Sequence, residues 1–154
     1  MEVILAQAKS RLAPIGQWNE NYPARGDFLD DMARGECYVL TCGGEVGGFF
    51  TLSAQPEAGY AAITDGRWGA DAPYAVIHRC AVASKWQGCA LADRMAEEWK
   101  RLARALGLGW LRVDTHKKNT AMRKLLQRSG FQLRGNVLVD DPHDPRRVAY
   151  DIPV

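Results

Sequence analysis

The sequence predicts a mixed α/β domain, and three features of its 154 residues carry that prediction. The hydrophobic period changes from 3.6 to 2 near Cys37, where two strand-like runs flank Gly43-Gly44 as a tight hairpin turn. Strands then alternate with helices: Tyr74–Val82, a long amphipathic segment, and Trp110–Thr115. A hairpin in front and a strand–helix–strand unit behind imply a mixed, mostly antiparallel central sheet flanked by helices, its crossover right-handed. The length suits one domain over residues 1–154.

The elements follow in order. Ile4, Leu5, Ala8, Leu12 and Ile15 recur at helical spacing, with Gln7, Lys9 and Arg11 on the opposite side and Pro14 and Gly16 at the end. A second helix is expected from Asp27, as N-cap, through Phe28, Leu29 and Met32 to Gly35. Cys37 to Thr41 and Val46 to Leu52 form the hairpin strands, and residues 58–63 read as a weak strand. Tyr74 to Val82 is apolar enough to be central. Residues 87–106 make the longest helix, with Leu91, Met95, Trp99, Leu102 and Leu106 inward and Glu97 and Arg101 paired outward. After the strand Trp110–Thr115, Asn119 caps a helix carrying Met122, Leu125 and Leu126 and closed by Gly130. Phe131 to Val139 and Arg147 to Ile152 complete the set around a proline-containing turn.

Composition excludes several classes of function. With 47% hydrophobic and 25% charged residues the chain is globular in type, and a formal charge of +2 offers no basic field for nucleic acid. The four cysteines form no C-x-x-C pair and the three histidines are scattered, so no metal site is expected. Residues 3–6 are too short an apolar run for a signal core, and no segment reaches the roughly 20 apolar residues of a membrane span. A cytoplasmic chain with reduced cysteines is the expectation.

The chemistry-bearing stretch runs from Ile77 to Ala92. A strand ends at Val82 and a loop of small and polar residues, Gln87, Gly88, Cys89, Ala90 and Ala92 among them, enters the long helix. Backbone N–H groups at such a helix start attract phosphate oxygens, although small residues there also serve close helix–sheet packing. The loop has neither the Gly-Lys-Ser/Thr of a Walker loop nor a G-x-G-x-x-G fingerprint. A pyrophosphate held by backbone amides is what remains.

The pattern Val82-x-x-x-x-Gln87-x-x-Ala90-x-Ala92 resembles the pyrophosphate loop of the GNAT N-acetyltransferase superfamily, and Asn119, Ala121, Leu125 and Gly130-Phe131 resemble its downstream segment. The spacing and element order match from about Tyr38 to Ile152. The resemblance implies acetyl-CoA as cofactor, released as coenzyme A, lying between central strands that splay apart. It assigns Cys80, Ala81 and Val82 to the pantetheine and thioester. It gives Gln87, Gly88, Cys89, Ala90, Leu91 and Ala92 to the pyrophosphate, and Asn119 to a contact near the pantetheine. Three departures stand out. Ala90 replaces the usual glycine, Leu126 stands where many members carry a tyrosine acid, and Val76 stands where some place a glutamate base. The first strand is also shortened.

Among single side chains, His78 is the candidate proton acceptor: strand alternation puts Val76, His78 and Cys80 on one face, and a hydrogen-bonded core histidine is the bland alternative. Arg79 is expected to pack or pair with a carboxylate such as Asp114. Cys80 as a nucleophile lacks a visible His/Asp partner. His116 could line the acceptor cleft or lie at the surface. Trp18, Tyr22, Tyr60 and Trp68 belong to segments expected to cover the acceptor, with core packing the stronger reading for most of them. The leading function is transfer of an acetyl group to a primary amine, of a small molecule or a peptide, in a ternary complex. The alternative is a non-catalytic acyl-CoA-binding or interaction module. Nucleic-acid binding through Arg123, Lys124 and Arg128 is the third and weakest reading, because those residues suit a solvated helix face. No membrane partner is expected, and a homodimer is left open.

Overall fold

The computed structural model describes residues 1–154. Two helices and a hairpin precede the central strands in the order α1 (Glu2–Leu12), α2 (Arg25–Ala33), β1 (Cys37–Cys42), β2 (Glu45–Ser53), β3 (Tyr74–Val82), α3 (Leu91–Ala105), β4 (Trp110–Thr115), α4 (Thr120–Arg128), β5 (Gln132–Leu138) and β6 (Arg146–Pro153), with short 3₁₀ turns at Ala13–Ile15, Ala58–Ala62 and Ser84–Trp86. The strands form one six-stranded sheet in the order β1-β2-β3-β4-β6-β5. Only the β3–β4 pair is parallel, as a βαβ crossover demands.

The sheet separates two packed layers. On one side α3 and α4 cover Phe50, Leu52, Ala75, Ile77, Leu111, Val113 and Tyr150, with Met95 and Trp99 of α3 fully buried among them. On the other, Ile4 and Ala8 of α1, Trp18 of the segment after it and Phe28 of α2 close over Phe49, Ala81 and Ala83. Tyr60, Val76, Val137 and Ala149 form a third, smaller cluster. A Cβ at Gly48 would stand 2.9 Å from both the Ala81 carbonyl oxygen and the Met95 methyl, so glycine there allows β2, β3 and α3 to approach closely.

Several expectations are corrected. Asp27 does not cap α2: Ala24 is the N-cap, and the Asp27 carboxylate reaches back to accept from its N–H at 2.6 Å. Residues 58–62 coil into a 3₁₀ turn instead of a strand, and pairing begins only at the Thr64–Asn136 bridge. The long helix starts at Leu91, because Ser84–Trp86 takes a 3₁₀ turn and Gln87–Ala90 is loop. Its outward pairs are Glu97–Lys100 and Glu98–Arg101, both 2.7 Å and three residues apart, not Glu97–Arg101. Leu106, read as inward, lies beyond the helix and is exposed.

Candidate active site

The parallel ladder is short. β3 and β4 pair from Tyr74–Trp110 to Ile77–Val113 and no further. Beyond that point β3 stays with β2 as far as Val82–Gly48, while β4 stays with β6 as far as Thr115–Val148. Each strand follows its outer neighbour, and the sheet opens between them. The inner edge of β3 from His78 to Val82 is left without a strand partner.

A β-bulge sits at the start of this edge. Arg79 and Cys80 together oppose Phe50, between the Thr51–His78 and Phe49–Ala81 pairings, and Arg79 adopts φ +45°. The extra residue breaks the alternation. Cys80 and Val82 therefore share the α3–α4 side with Ile77, and Cys80 Sγ lies 4.0 Å from Met122 Sδ. His78 stays on the opposite side with Val76, so the expected common face of Val76, His78 and Cys80 does not form.

Arg79 does not pair with Asp114. Its guanidinium grips Asp31 of α2, Nη2 to Oδ1 at 2.6 Å and Nε to Oδ2 at 2.8 Å. Asp31 is wholly buried, and it also accepts from Thr51 Oγ1 and Arg34. No motif marks Asp31, since one aspartate on an amphipathic helix reads as surface.

The opening leads into a cleft of about 1410 Å³, larger than the roughly 300–1,000 Å³ of a drug-sized pocket. One end is the loop into α3. Gln87, Gly88, Ala90, Leu91 and Ala92 line it, while Cys89 is exposed and turned out of the lining. Gly88 has φ +80° with nothing within 4 Å of a notional Cβ, and Ala90, the residue before α3, is itself left-handed at φ +48°. The first N–H groups of α3 have no intrahelical acceptors and face this end. Lys124 and Arg128 of α4 add positive charge, Arg128 paired with Asp93.

The polar side of α1, unremarkable in sequence, clamps the loop. Gln7 Oε1 accepts from the Ser84 N–H at 2.9 Å, and Arg11 donates to Ser84 Oγ and to the Val82 carbonyl. In the amide orientation that satisfies both partners, Gln87 accepts from Arg11 at 2.9 Å.

The other end is lined by Trp18, Tyr22, Glu57, His78, Asp114 and the β5–β6 turn. His78 Nε2 stands 3.5 Å from the Glu57 carboxylate, yet burial and the adjacent Arg79 charge push its pKa down to about 4. Asp114 goes the other way: burial lifts its carboxyl to about 6, against the pull of a hydrogen bond from Tyr60 Oη at 2.8 Å. Tyr60 and Trp68 are packed as core, Trp68 Nε1 donating to the Tyr60 carbonyl, so of the four aromatics only Trp18 and Tyr22 border the cleft. Burial pushes the Cys80 thiol up to about 12, which keeps it protonated near neutrality.

Asn119 caps α4, its Oδ1 accepting from the Met122 N–H at 3.1 Å, and its Nδ2 donates to Gln17 Oε1 at 2.8 Å. The same Gln17 oxygen accepts from Thr115 Oγ1 and the His116 N–H, which ties the segment after α1 to the end of β4. His116 neither lines the cleft nor reaches the surface. It is buried, with Nδ1 accepting from the Lys118 N–H and Nε2 donating to Asp144 at 2.8 Å. Leu126 is fully buried in the main core, and Ala121, Met122, Lys124, Leu125 and Arg128 are the α4 residues that line the cleft. Arg123 bonds Tyr150 Oη and the Lys117 carbonyl. No cluster of three or more His, Cys, Asp or Glu is placed to hold a metal ion, and no helix is long and apolar enough to cross a membrane.

The model of the acetyltransferase (GNAT) family matches residues 6–131. No curated protein matches the chain. Among solved structures, a GNAT-family acetyltransferase from Streptococcus agalactiae is 28% identical with a TM-score of 0.84, over 99% of this chain and 87% of that one. An acetyltransferase from Bacillus subtilis, solved in complex with CoA, is 16% identical with a TM-score of 0.64, over 86% of each chain. A chain of the NatC complex, bound to Gag peptide and CoA, is 12% identical with a TM-score of 0.67, over 100% of this chain and 92% of that one.

Proposed function

The chain belongs to the acetyltransferase (GNAT) family, and from that premise we propose that it moves an acetyl group from acetyl-CoA to a primary amine by direct transfer in a ternary complex. The observation that carries this reading is the partnerless edge of β3 from His78 to Val82, open to a cleft that ends at the α3 loop. Exposed strand backbone pairs with an extended chain as another strand would. The residues fit the cofactor. Backbone of Cys80, Ala81 and Val82 would hold the pantetheine arm, and the amides of Gln87, Gly88, Cys89, Ala90, Leu91 and Ala92 the pyrophosphate. Lys124 and Arg128 lie where further phosphate charge would be met. Asn119 and Gln17 join the two walls near the pantetheine end.

Bound acetyl-CoA supplies an activated acetyl thioester. The chain's own contribution is positioning, which brings amine and thioester into contact, and a backbone N–H near Cys80 or Val82 aimed at the thioester oxygen. The acceptor end, with Trp18, Tyr22, Glu57 and Asp114, receives the amine. Both a small-molecule amine and a peptide amine suit it; the NatC chain was solved with a peptide. The whole of residues 1–154 works as one unit in this reading, in the cytoplasm.

A non-catalytic acyl-CoA-binding module is the second reading, favoured by one observation: Leu126 buries a hydrocarbon side chain at the position of the family's tyrosine acid. Incubation with acetyl-CoA and a panel of primary amines, with release of free thiol as the readout, separates the two. Thiol released only when an amine is present supports transfer. Binding of CoA without turnover of any amine leaves the module reading.

A further inference from the structure

Building on the amine-transfer reading, we infer that Asp114 takes the proton of the acceptor amine and that Tyr60 is its positioning residue. Ile77 and Val113 make the last β3–β4 pairing, so His78 and Asp114 are the first residues past the point where the strands part. Val113 faces the α3–α4 core, which turns Asp114 to the other side of the sheet, towards Tyr60 and the acceptor end of the cleft. One carboxylate oxygen is held by the buried Tyr60 hydroxyl at 2.8 Å, and the ring of Tyr60 is locked against Trp68 and Tyr74 at 5.0 and 6.3 Å. The second oxygen has no hydrogen-bond partner.

The groups facing Asp114 are Tyr60 from the 3₁₀ turn, Glu57 just before that turn, Tyr22 from the segment before α2, and Arg147 from β6. Arg147, the one cation, is turned to the Asp141 carboxylate at 3.1 Å and to the Asp144 and Arg146 carbonyls. Asp114 is therefore a carboxylate on the cleft wall with one neutral donor and no cationic partner. An alkylammonium ion is a partner such a group lacks.

His78 is the weaker candidate on the same geometry. It stands beside Arg79, and burial leaves it less basic than Asp114. A base with a pKa nearer the working pH transfers protons more effectively.

The step balances without any further reactant. The ammonium gives one proton to the Asp114 carboxylate and becomes a neutral amine. Its lone pair forms the C–N bond as the thioester C–S bond breaks. The second nitrogen proton goes to the departing thiolate, which leaves as the CoA thiol, and Asp114 returns its proton to water at the cleft mouth.

The test is the pH dependence of acetyl transfer to the best acceptor among putrescine, spermidine, lysine and a short peptide with a free N-terminus. Calorimetric titration of CoA is run alongside on each variant. In Asp114→Asn, kcat should fall about 10²–10⁴-fold and the acid limb near pH 6 should vanish, with CoA affinity unchanged. Tyr60→Phe removes a hydrogen bond that favours the carboxylate, so the limb should move to higher pH, a change that loose packing alone would not produce. An Asp114→Asn enzyme with wild-type kcat and an intact limb overturns the proposal, as does a limb lost in His78→Gln and kept in Asp114→Asn. Should the wild-type chain bind CoA and acetylate none of the amines, the transfer reading itself fails and takes this one with it, a result distinct from failure of the variants alone.

Discussion

Arg79 and Asp31 meet through two parallel hydrogen bonds, 2.6 and 2.8 Å long, that join the bulge in β3 to helix α2. The arginine has a left-handed backbone and the aspartate is fully buried, so each holds the other in a conformation it would not adopt alone. The bulge sits where β3 leaves β4. A surface-type residue on α2 thus bears on the shape of the cleft.

Asp31→Asn should consequently destabilise the fold by about 3 kcal/mol, because the partly buried Arg79 loses the counter-charge of the wholly buried Asp31. Burial alone would raise the Asp31 pKa, but the hydrogen bonds from Arg79 and Thr51 and the charges of Arg79 and Arg34 outweigh it and hold the carboxyl below its usual range. A folded pKa below the unfolded one means that this contribution is full above about pH 4 and fades as pH falls through the folded value. Thermal melts should show a gap of about 10 °C between wild type and variant at pH 7, closing in acid. A constant gap down to pH 3 would count against the assignment.

Saturating CoA or acetyl-CoA should stabilise the chain, since a ligand that binds only the folded state shifts the equilibrium towards it. At a ligand concentration of 100 times Kd the gain is about 2.7 kcal/mol. Differential scanning fluorimetry across a CoA series should show a rising melting temperature. No shift at any concentration would remove the basis for the proposed function.

Ala90 tests the pyrophosphate end. It carries a Cβ at φ +48°, a left-handed conformation that costs an L-residue roughly 1–2 kcal/mol and glycine almost nothing. Part of that relief is lost to the greater freedom of glycine in the unfolded chain. Ala90→Gly should therefore be slightly stabilising, by up to about 1 kcal/mol, with CoA bound at least as tightly as by wild type. Calorimetric titration and a denaturant melt measure the two effects separately.

All four cysteines are free thiols, and they differ in surroundings. Cys89 is exposed in the loop before α3, whereas burial pushes the Cys80 thiol up to about 12. Alkylation at pH 8 under native conditions, followed by mass spectrometry, should label Cys89 first and Cys80 only after denaturation. Early labelling of Cys80 would mean that the β3 edge opens more freely than its packing implies.

The amino-acid pattern determined most of the architecture. Tyr74–Val82 and Trp110–Thr115 are both continuous strands as expected, because their β-branched and aromatic runs are bounded by turn residues on each side. Asn119 caps α4, and the Gly43-Gly44 hairpin joins β1 to β2, since caps and tight turns depend on a few neighbouring residues. The family pattern from Val82 to Ala92 was legible for the same reason, as it is written in one contiguous stretch.

The site beyond that loop was decided by contacts far apart in the chain. Alternation predicted a common face for Val76, His78 and Cys80, and a single extra residue opposite Phe50 moved Cys80 to the other side. The partner of Arg79 lies 48 residues away on α2, and Tyr60 reaches Asp114 across 54 residues from a turn that read as a strand. Local propensity records the dihedral preferences of neighbours and carries no term for such pairings. Burial likewise came only with the sheet, and it separated the basicities of His78 and Asp114 in opposite directions: removing water penalises the charged form, which is the protonated state of a histidine and the deprotonated state of an aspartate.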